Sequence, residues 1–186
     1  MLCGIDEAGR GAMAGELVVA GCAFKRGFKS ELSALVADSK SLSEKKREQI
    51  FELIAPKCHY LTVYFRNTLI DTYGLSACLK RALIVLEAHF SGYELLFDGN
   101  CNYAQSSIKT MIKADAKVPE VSAASIIAKV SRDRQMRAFA PLYPHFGYDK
   151  HKGYGTKAHM NALAKYGANE LTRLSFKRNL FDWKCA

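Results

Sequence analysis

The stretch Cys3-Gly4-Ile5-Asp6-Glu7-Ala8-Gly9-Arg10-Gly11 decides how the rest of the chain is read. A short apolar run, Met1 to Ile5, delivers two adjacent carboxylates, and a Gly-Arg-Gly turn follows them. A second run rich in branched residues, Leu17 to Phe24 (LVVAGCAF), reads as a strand. Gly9, Gly11 and Gly15 lie between the two runs, so they can pair across a wide, glycine-shaped turn. Neighbours on a regular strand point to opposite faces. Asp6 and Glu7 are therefore expected to serve one site only if the strand ends or bends at this point.

Outward from this stretch, residues 25 to 42 read as a polar connection ending in Asp38-Ser39-Lys40-Ser41-Leu42-Ser43. Ser41 and Glu44 fit a capping box for a helix over 43 to 55, whose apolar stripe is Ile50, Phe51 and Ile54. Lys45, Lys46 and Arg47 read as its solvated face. His59 to Arg66 is strand-like, and Ser76 to Phe90 has helical spacing in Cys78, Leu79, Ala82, Leu83, Leu86 and Phe90. Glu94 to Phe97 is a short buried strand ending at Asp98-Gly99. That Asp is either ligand chemistry at a strand's carboxyl end or an ordinary turn former.

Ile108 to Lys113 is a further strand candidate leading to Asp115, and Val121 to Phe139 reads as a long helix with basic flanks. Between 109 and 137 stand Lys109, Lys113, Lys117, Lys129, Arg132, Arg134 and Arg137, which suggests phosphate contact; Asp133 is expected to pair with a nearby arginine. Residues 141 to 155 (PLYPHFGYDKHKGYG) interleave aromatics with cations, as either a stacking surface beside phosphates or a packed loop. Thr156 to Tyr166 looks like a helix capped by Thr156 and stopped at Gly167, and Arg173 to Arg178 reads as a basic tail.

The 186 residues fit a single domain over 1–186, with about 141–186 as a small helical C-terminal subdomain. The order of elements implies an α/β fold with a mixed central sheet flanked by helices. Lys and Arg number 27 against 18 Asp and Glu, a formal net charge of +9 that favours a polyanionic partner. The 6 cysteines show no zinc spacing and read as free thiols. No signal peptide or membrane span is expected, so the cytoplasm is the expected compartment. Asp6, Glu7, Asp98 and Asp115 each fall near an expected strand end. Clustered carboxylates need cations, and oxygen ligands suit Mg²⁺ or Mn²⁺ better than zinc. Two such ions can activate water and stabilise a leaving oxygen in phosphodiester cleavage.

Several blocks together carry a resemblance: Gly4 to Gly11, Asp38-Ser39-Lys40, Asp98-Gly99-Asn100, Lys113-Ala114-Asp115, Val118 to Asp133 and His151-Lys152-Gly153-Tyr154. In this order, and over nearly the whole chain, they resemble bacterial ribonuclease HII, a type 2 ribonuclease H. The resemblance implies a ribonuclease H-like fold and two-metal-ion cleavage of RNA in RNA:DNA hybrids. It also implies incision 5′ of ribonucleotides embedded in duplex DNA, leaving 3′-hydroxyl and 5′-phosphate ends, as in ribonucleotide excision repair by a monomer. Asp6, Glu7, Asp98 and Asp115 match the metal-binding carboxylates. Gly9, Arg10 and Gly11 match the motif that reads the ribose 2′-hydroxyl, and Tyr154 the tyrosine that stacks on the adjacent deoxyribose. Lys40, Ser125 and Lys129 are candidate phosphate contacts. Ala12 stands where the family usually has proline, and Ser41 where it usually has a second lysine. Ribonuclease HIII is disfavoured because it has a different residue between the two glycines and an additional N-terminal domain.

Overall fold

The first strand, β1 (Leu2–Ala8), lies at the centre of the sheet and everything else is arranged on it. A computed structural model describes residues 1–36 and 42–179. With β2 (Leu17–Phe24), β3 (Cys58–Phe65), β4 (Glu94–Asp98) and β5 (Ile108–Met111), it forms a five-stranded sheet in the order β3-β2-β1-β4-β5. The β1–β2 and β2–β3 pairs are antiparallel, whereas β1–β4 and β4–β5 are parallel. The sheet is mixed, as the order of elements implies.

Helices cover both faces: α1 (Lys29–Val36), α2 (Glu44–Ile54) and α5 (Pro119–Phe139) on one, α3 (Asn67–Tyr73) and α4 (Leu75–His89) on the other. β2 is buried along its whole length between the two layers, which explains its continuous apolar run. Helix α1 falls inside the stretch expected to be a polar connection. Phe28, Leu32, Leu35 and Val36 recur at helical spacing and pack into the α5-side core, a stripe that the surrounding polar residues obscure. The cap of α2 is Ser43, whose hydroxyl accepts from the Lys46 N–H, in place of the expected Ser41, which lies outside the described residues. The helix expected from Ser76 begins at Leu75, and α3 precedes it across Gly74, whose φ of 81° breaks the run.

Two features fix α5 against the sheet. At Gly4 a Cβ atom would stand 2.3 Å from the backbone of Glu120 and Val121, so the start of α5 lies directly on β1. At its far end Arg134 and Arg137 form ion pairs with Glu44, Glu48 and Glu52 of α2. These arginines, expected as phosphate contacts, tie one helix to another. Lys109 pairs with Glu94 at 3.7 Å.

The C-terminal helices, α6 (Tyr148–His151) and α7 (Lys157–Tyr166), enclose a small apolar cluster of their own with Ala14, Met136, Phe146, Tyr148, Leu163 and Leu171. Most of the aromatic loop is therefore packing: Tyr148 is fully buried and stacks on Phe146 at 5.7 Å. Beside this cluster two imidazoles, those of His151 and His159, stack at 4.5 Å. His151 Nε2 donates to the Phe146 carbonyl and Nδ1 accepts from the Gly153 N–H, which fixes a neutral ring. His159, fully buried, donates from Nδ1 to the Tyr154 carbonyl at 3.0 Å. α7 is capped by Thr156 and stopped at Gly167, as expected.

Gly4→Ala is expected to destabilise the protein by at least about 1–3 kcal/mol, because backbone rather than a flexible side chain must yield; equilibrium urea unfolding measures it. Burial holds the His159 ring down to about 4, below the 6.5 of the unfolded chain. Its contribution is thus complete above pH 6.5 and is lost as pH falls toward 4, by up to about 3 kcal/mol. Urea unfolding at pH 7.5 and 5.0 should show the loss, and His159→Gln should flatten it. An equal acid sensitivity in that variant would assign the effect to other groups.

Candidate metal centre

The parallel register of β1 and β4 pairs Cys3 with Leu95 and Ile5 with Phe97. Continued by one residue, it sets Asp6 beside Asp98, at the carboxyl ends of two neighbouring parallel strands. Both share the parity of Gly4, Ala8 and Leu96, on the side covered by α5. A 3-10 turn, Ala114–Ala116, brings Asp115 to the same place. Lys113 enters that turn in the left-handed region (φ 58°), and the Ser122 hydroxyl of α5 donates to the Asp115 carbonyl. One carboxylate oxygen from each of Asp6, Asp98 and Asp115 lies within 4.8 Å of the other two.

The surroundings raise the cost of keeping these groups charged. Asp6 is 8% exposed, and burial, followed by the neighbouring Glu7 charge, pushes its carboxyl up to about 8. Burial also raises Asp98, whose carboxyl shares a hydrogen bond with Asp115. Against this, the Glu7 N–H donates to Asp6 Oδ1 at 2.8 Å, the Ser125 hydroxyl reaches Asp6, and the Ala114 N–H donates to Asp98 Oδ1 at 3.1 Å. Among the described residues, neither Asp6 nor Asp98 forms an ion pair. Three converging carboxylate oxygens, two of them on residues without an ion pair, fit hard divalent cations.

Glu7 is not part of that trio. The strand neither ends nor bends at Asp6; it continues to Ala8, and Glu7 has the parity of Cys3 and Ile5, which face α4. Its Oε1 accepts from Arg10 Nη1 at 3.4 Å, and burial raises its carboxyl, with the Asp98 charge adding to the shift. It borders the site from the other side of the sheet end.

The Gly-Arg-Gly turn divides in role. Gly9 has φ 89°, and a Cβ there would meet Arg132 Nε at 2.1 Å, so glycine is required by packing. Gly11 has nothing within 4 Å of such a Cβ and faces open space, while the Arg10 side chain is half exposed. The Ala12 N–H donates to the Gly9 carbonyl at 3.3 Å, a bond that proline could not make. Met13 and Ala14 donate to the Gly153 carbonyl at 2.8 and 3.2 Å, which places the turn against the loop bearing Tyr154. The Tyr154 ring is half-buried, with Lys129 Nζ and the Arg132 guanidinium each 5.1 Å from its centroid.

Of the expected phosphate contacts, Ser125 lies at the trio, and Lys129 is held by Asp133 at 2.8 Å. Asp133 pairs with Lys129 and, at 4.0 Å, with an arginine as expected, Arg47 of α2. Lys40 lies outside the described residues. Arg132 and Arg173, expected on a basic flank and in a basic tail, are both buried, and their guanidinium groups bind backbone carbonyls. Sequence carries no spacing signal for a buried arginine, so their position is visible only in the fold.

The sequence profile of the family "Ribonuclease HII" matches residues 3–179. Curated relatives include a ribonuclease HII of Campylobacter concisus, 53% identical over 94% of this chain and 92% of the relative. Another, from Sulfurovum sp., is 48% identical over 95% and 91%. Among solved structures, the PCNA:RNase HII complex from Archaeoglobus fulgidus matches with TM-score 0.81 at 28% identity, covering 98% of this chain and 97% of that one. The ribonuclease H2 of Pyrococcus horikoshii OT3 matches with TM-score 0.78 at 25% identity, covering 95% and 93%. The chain covers only 66% of a Bst-RNase HIII at 20% identity, a likeness of fold.

Proposed function

The chain belongs to the ribonuclease HII family and is a ribonuclease H-type hydrolase with the family's mixed-sheet fold; from this premise we propose how its site works and on what. The substrates are RNA:DNA hybrids and duplex DNA containing embedded ribonucleotides, cut 5′ of the ribonucleotide to leave 3′-hydroxyl and 5′-phosphate ends. The observation that carries this reading is the trio of Asp6, Asp98 and Asp115 within 4.8 Å, beside a turn whose Gly11 is open to a ligand.

Asp6, Asp98 and Asp115, with Glu7 at the border, would hold two Mg²⁺ or Mn²⁺ ions. Bound ions of this kind lower the pKa of a coordinated water and offset charge at the scissile phosphate. The chain's own residues supply the rest. Ser125 and the Glu7 N–H orient Asp6, and the Ala114 N–H orients Asp98, so the carboxylates are fixed before substrate arrives. Gly11 lets backbone approach a sugar closely, and only a 2′-hydroxyl distinguishes RNA from DNA there. Tyr154, flanked by Lys129, offers a flat surface for the next sugar and a cation for its phosphate. We read the chain as a monomer with a single catalytic domain whose residues from about 141 onward form a helical appendage that presents Tyr154.

The direct test incubates the protein with a DNA duplex carrying one ribonucleotide, a full RNA:DNA hybrid and an all-DNA junction, with Mg²⁺, Mn²⁺ or chelator. Metal-dependent cutting of the first two is expected; cutting of the junction alone contradicts the reading. Asp98→Asn should lower cleavage at least about 100-fold while leaving substrate affinity in a gel-shift assay largely intact, since it removes a metal ligand and keeps the shape. Tyr154→Ala should lose more activity on the single-ribonucleotide duplex than on the hybrid. Equal losses in parallel kcat/KM measurements would refute that role.

A further inference from the structure

Arg132 and Arg173 are the two largest fully buried side chains among the described residues, 0% and 1% exposed. Neither forms an ion pair among the described residues. Removing a guanidinium from water without a counter-ion is costly, and two near one another cost more, because each disfavours the charge of the other. The Arg173 group is accordingly lowered to about 9 by burial and by Arg132. A fold that needed only packing here would do better with aliphatic side chains.

What both cations bind is backbone. Arg132 donates to the carbonyls of Glu16 (2.8 Å), Ala14 (3.0 Å) and Lys152 (2.8 Å). Arg173 donates to those of Gly9 (2.7 Å), Arg10 (3.3 Å) and Gly15 (2.9 Å). Five of these six acceptors lie between residues 9 and 16, and the sixth is two residues before Tyr154. A segment with three glycines has little stiffness of its own, and its carbonyls face inward, where water cannot satisfy them. The planar five-donor guanidinium can serve several carbonyls in one fixed geometry, which a lysine ammonium cannot. The Arg132 group also lies 5.1 Å from the Tyr154 ring centroid.

We propose that Arg132 and Arg173 are positioning residues that hold the Gly9 to Glu16 turn at a fixed distance from Tyr154, and thereby set selectivity for a ribonucleotide followed by a deoxynucleotide. The proposal rests on the reading of Gly11 and Tyr154 given above. Neither arginine touches substrate. Each acts through the backbone it holds, and the carboxylate trio, built by β1, β4 and the 3-10 turn, does not depend on them.

The test compares Arg132→Gln, Arg173→Gln, the corresponding lysine variants and a core control, Ile54→Ala, in the apolar core between α2, α5 and the sheet. Selectivity is the ratio of kcat/KM on a single-ribonucleotide duplex to that on a uniform RNA:DNA hybrid. A merely structural role lowers both values through the folded fraction and leaves the ratio unchanged, as Ile54→Ala should. The glutamine variants are expected to lower the ratio at least about tenfold, since small displacements of positioning groups carry large rate effects, with the lysine variants between. Hydrogen exchange gives a readout independent of activity: the amides of Met13, Ala14 and Gly15 should exchange at least about tenfold faster in the glutamine variants, with those of Val18 to Ala20 unchanged. An unchanged ratio, or a turn as protected as in the wild type, overturns the proposal. A wild type that cuts neither substrate breaks the functional reading instead, and exchange still decides whether the arginines hold the turn.

Discussion

Mutual repulsion among Asp6, Asp98 and Asp115 is the constraint around which the molecule is organised. Three carboxylate oxygens lie within 4.8 Å of one another, one of them on a buried residue, and each disfavours the ionised form of the others. They are held by rigid parts: the parallel register of β1 and β4, and a 3-10 turn tied to α5 by Ser122. Gly4 is the hinge of this arrangement, because only a residue without Cβ allows α5 to lie on β1 at the height that brings Asp115 to Asp6. The site is thus strained electrostatically and rigid mechanically, the combination expected of a preorganised cation site.

Positive charge is used in three ways that the net charge of +9 does not separate. Arg134 and Arg137 join α5 to α2, and Arg132 and Arg173 satisfy inward-facing carbonyls of the glycine-rich turn. What is left for a polyanion is a smaller set, including Arg10 and Lys129 near the trio and Lys113 and Lys117, which form no ion pair among the described residues. The basic composition is consequently only in part a nucleic-acid signal.

Much of this was legible in the sequence. β2 runs over the expected Leu17 to Phe24, because a fully buried strand is uniformly apolar, and α7 has the expected cap and stop because both are side-chain and glycine chemistry. Asp98 could be picked out because it closes a recognisable apolar strand, and Asp115 because it comes shortly after a strand candidate. Helix α1 was obscured because its stripe of Phe28, Leu32, Leu35 and Val36 is diluted by lysine, serine and glutamate. Strand parity predicts that Glu7 faces away from Asp6 unless β1 ends or bends there, and only the fold shows that the strand runs on to Ala8 and keeps the two on opposite faces. Arg132 and Arg173 were misread because a buried guanidinium and a solvated one are the same letter.

Asp6, Asp98 and Asp115 form the divalent-cation site proposed above. Thermal unfolding of the wild type and of Asp6→Asn, each with chelator and with increasing Mn²⁺, tests it most directly, because ligand that binds only the folded state raises stability by RT ln(1 + [L]/Kd). The midpoint is expected to climb with Mn²⁺ in the wild type and to stay flat in Asp6→Asn. A flat wild-type curve, or an equal climb in both proteins, would contradict it.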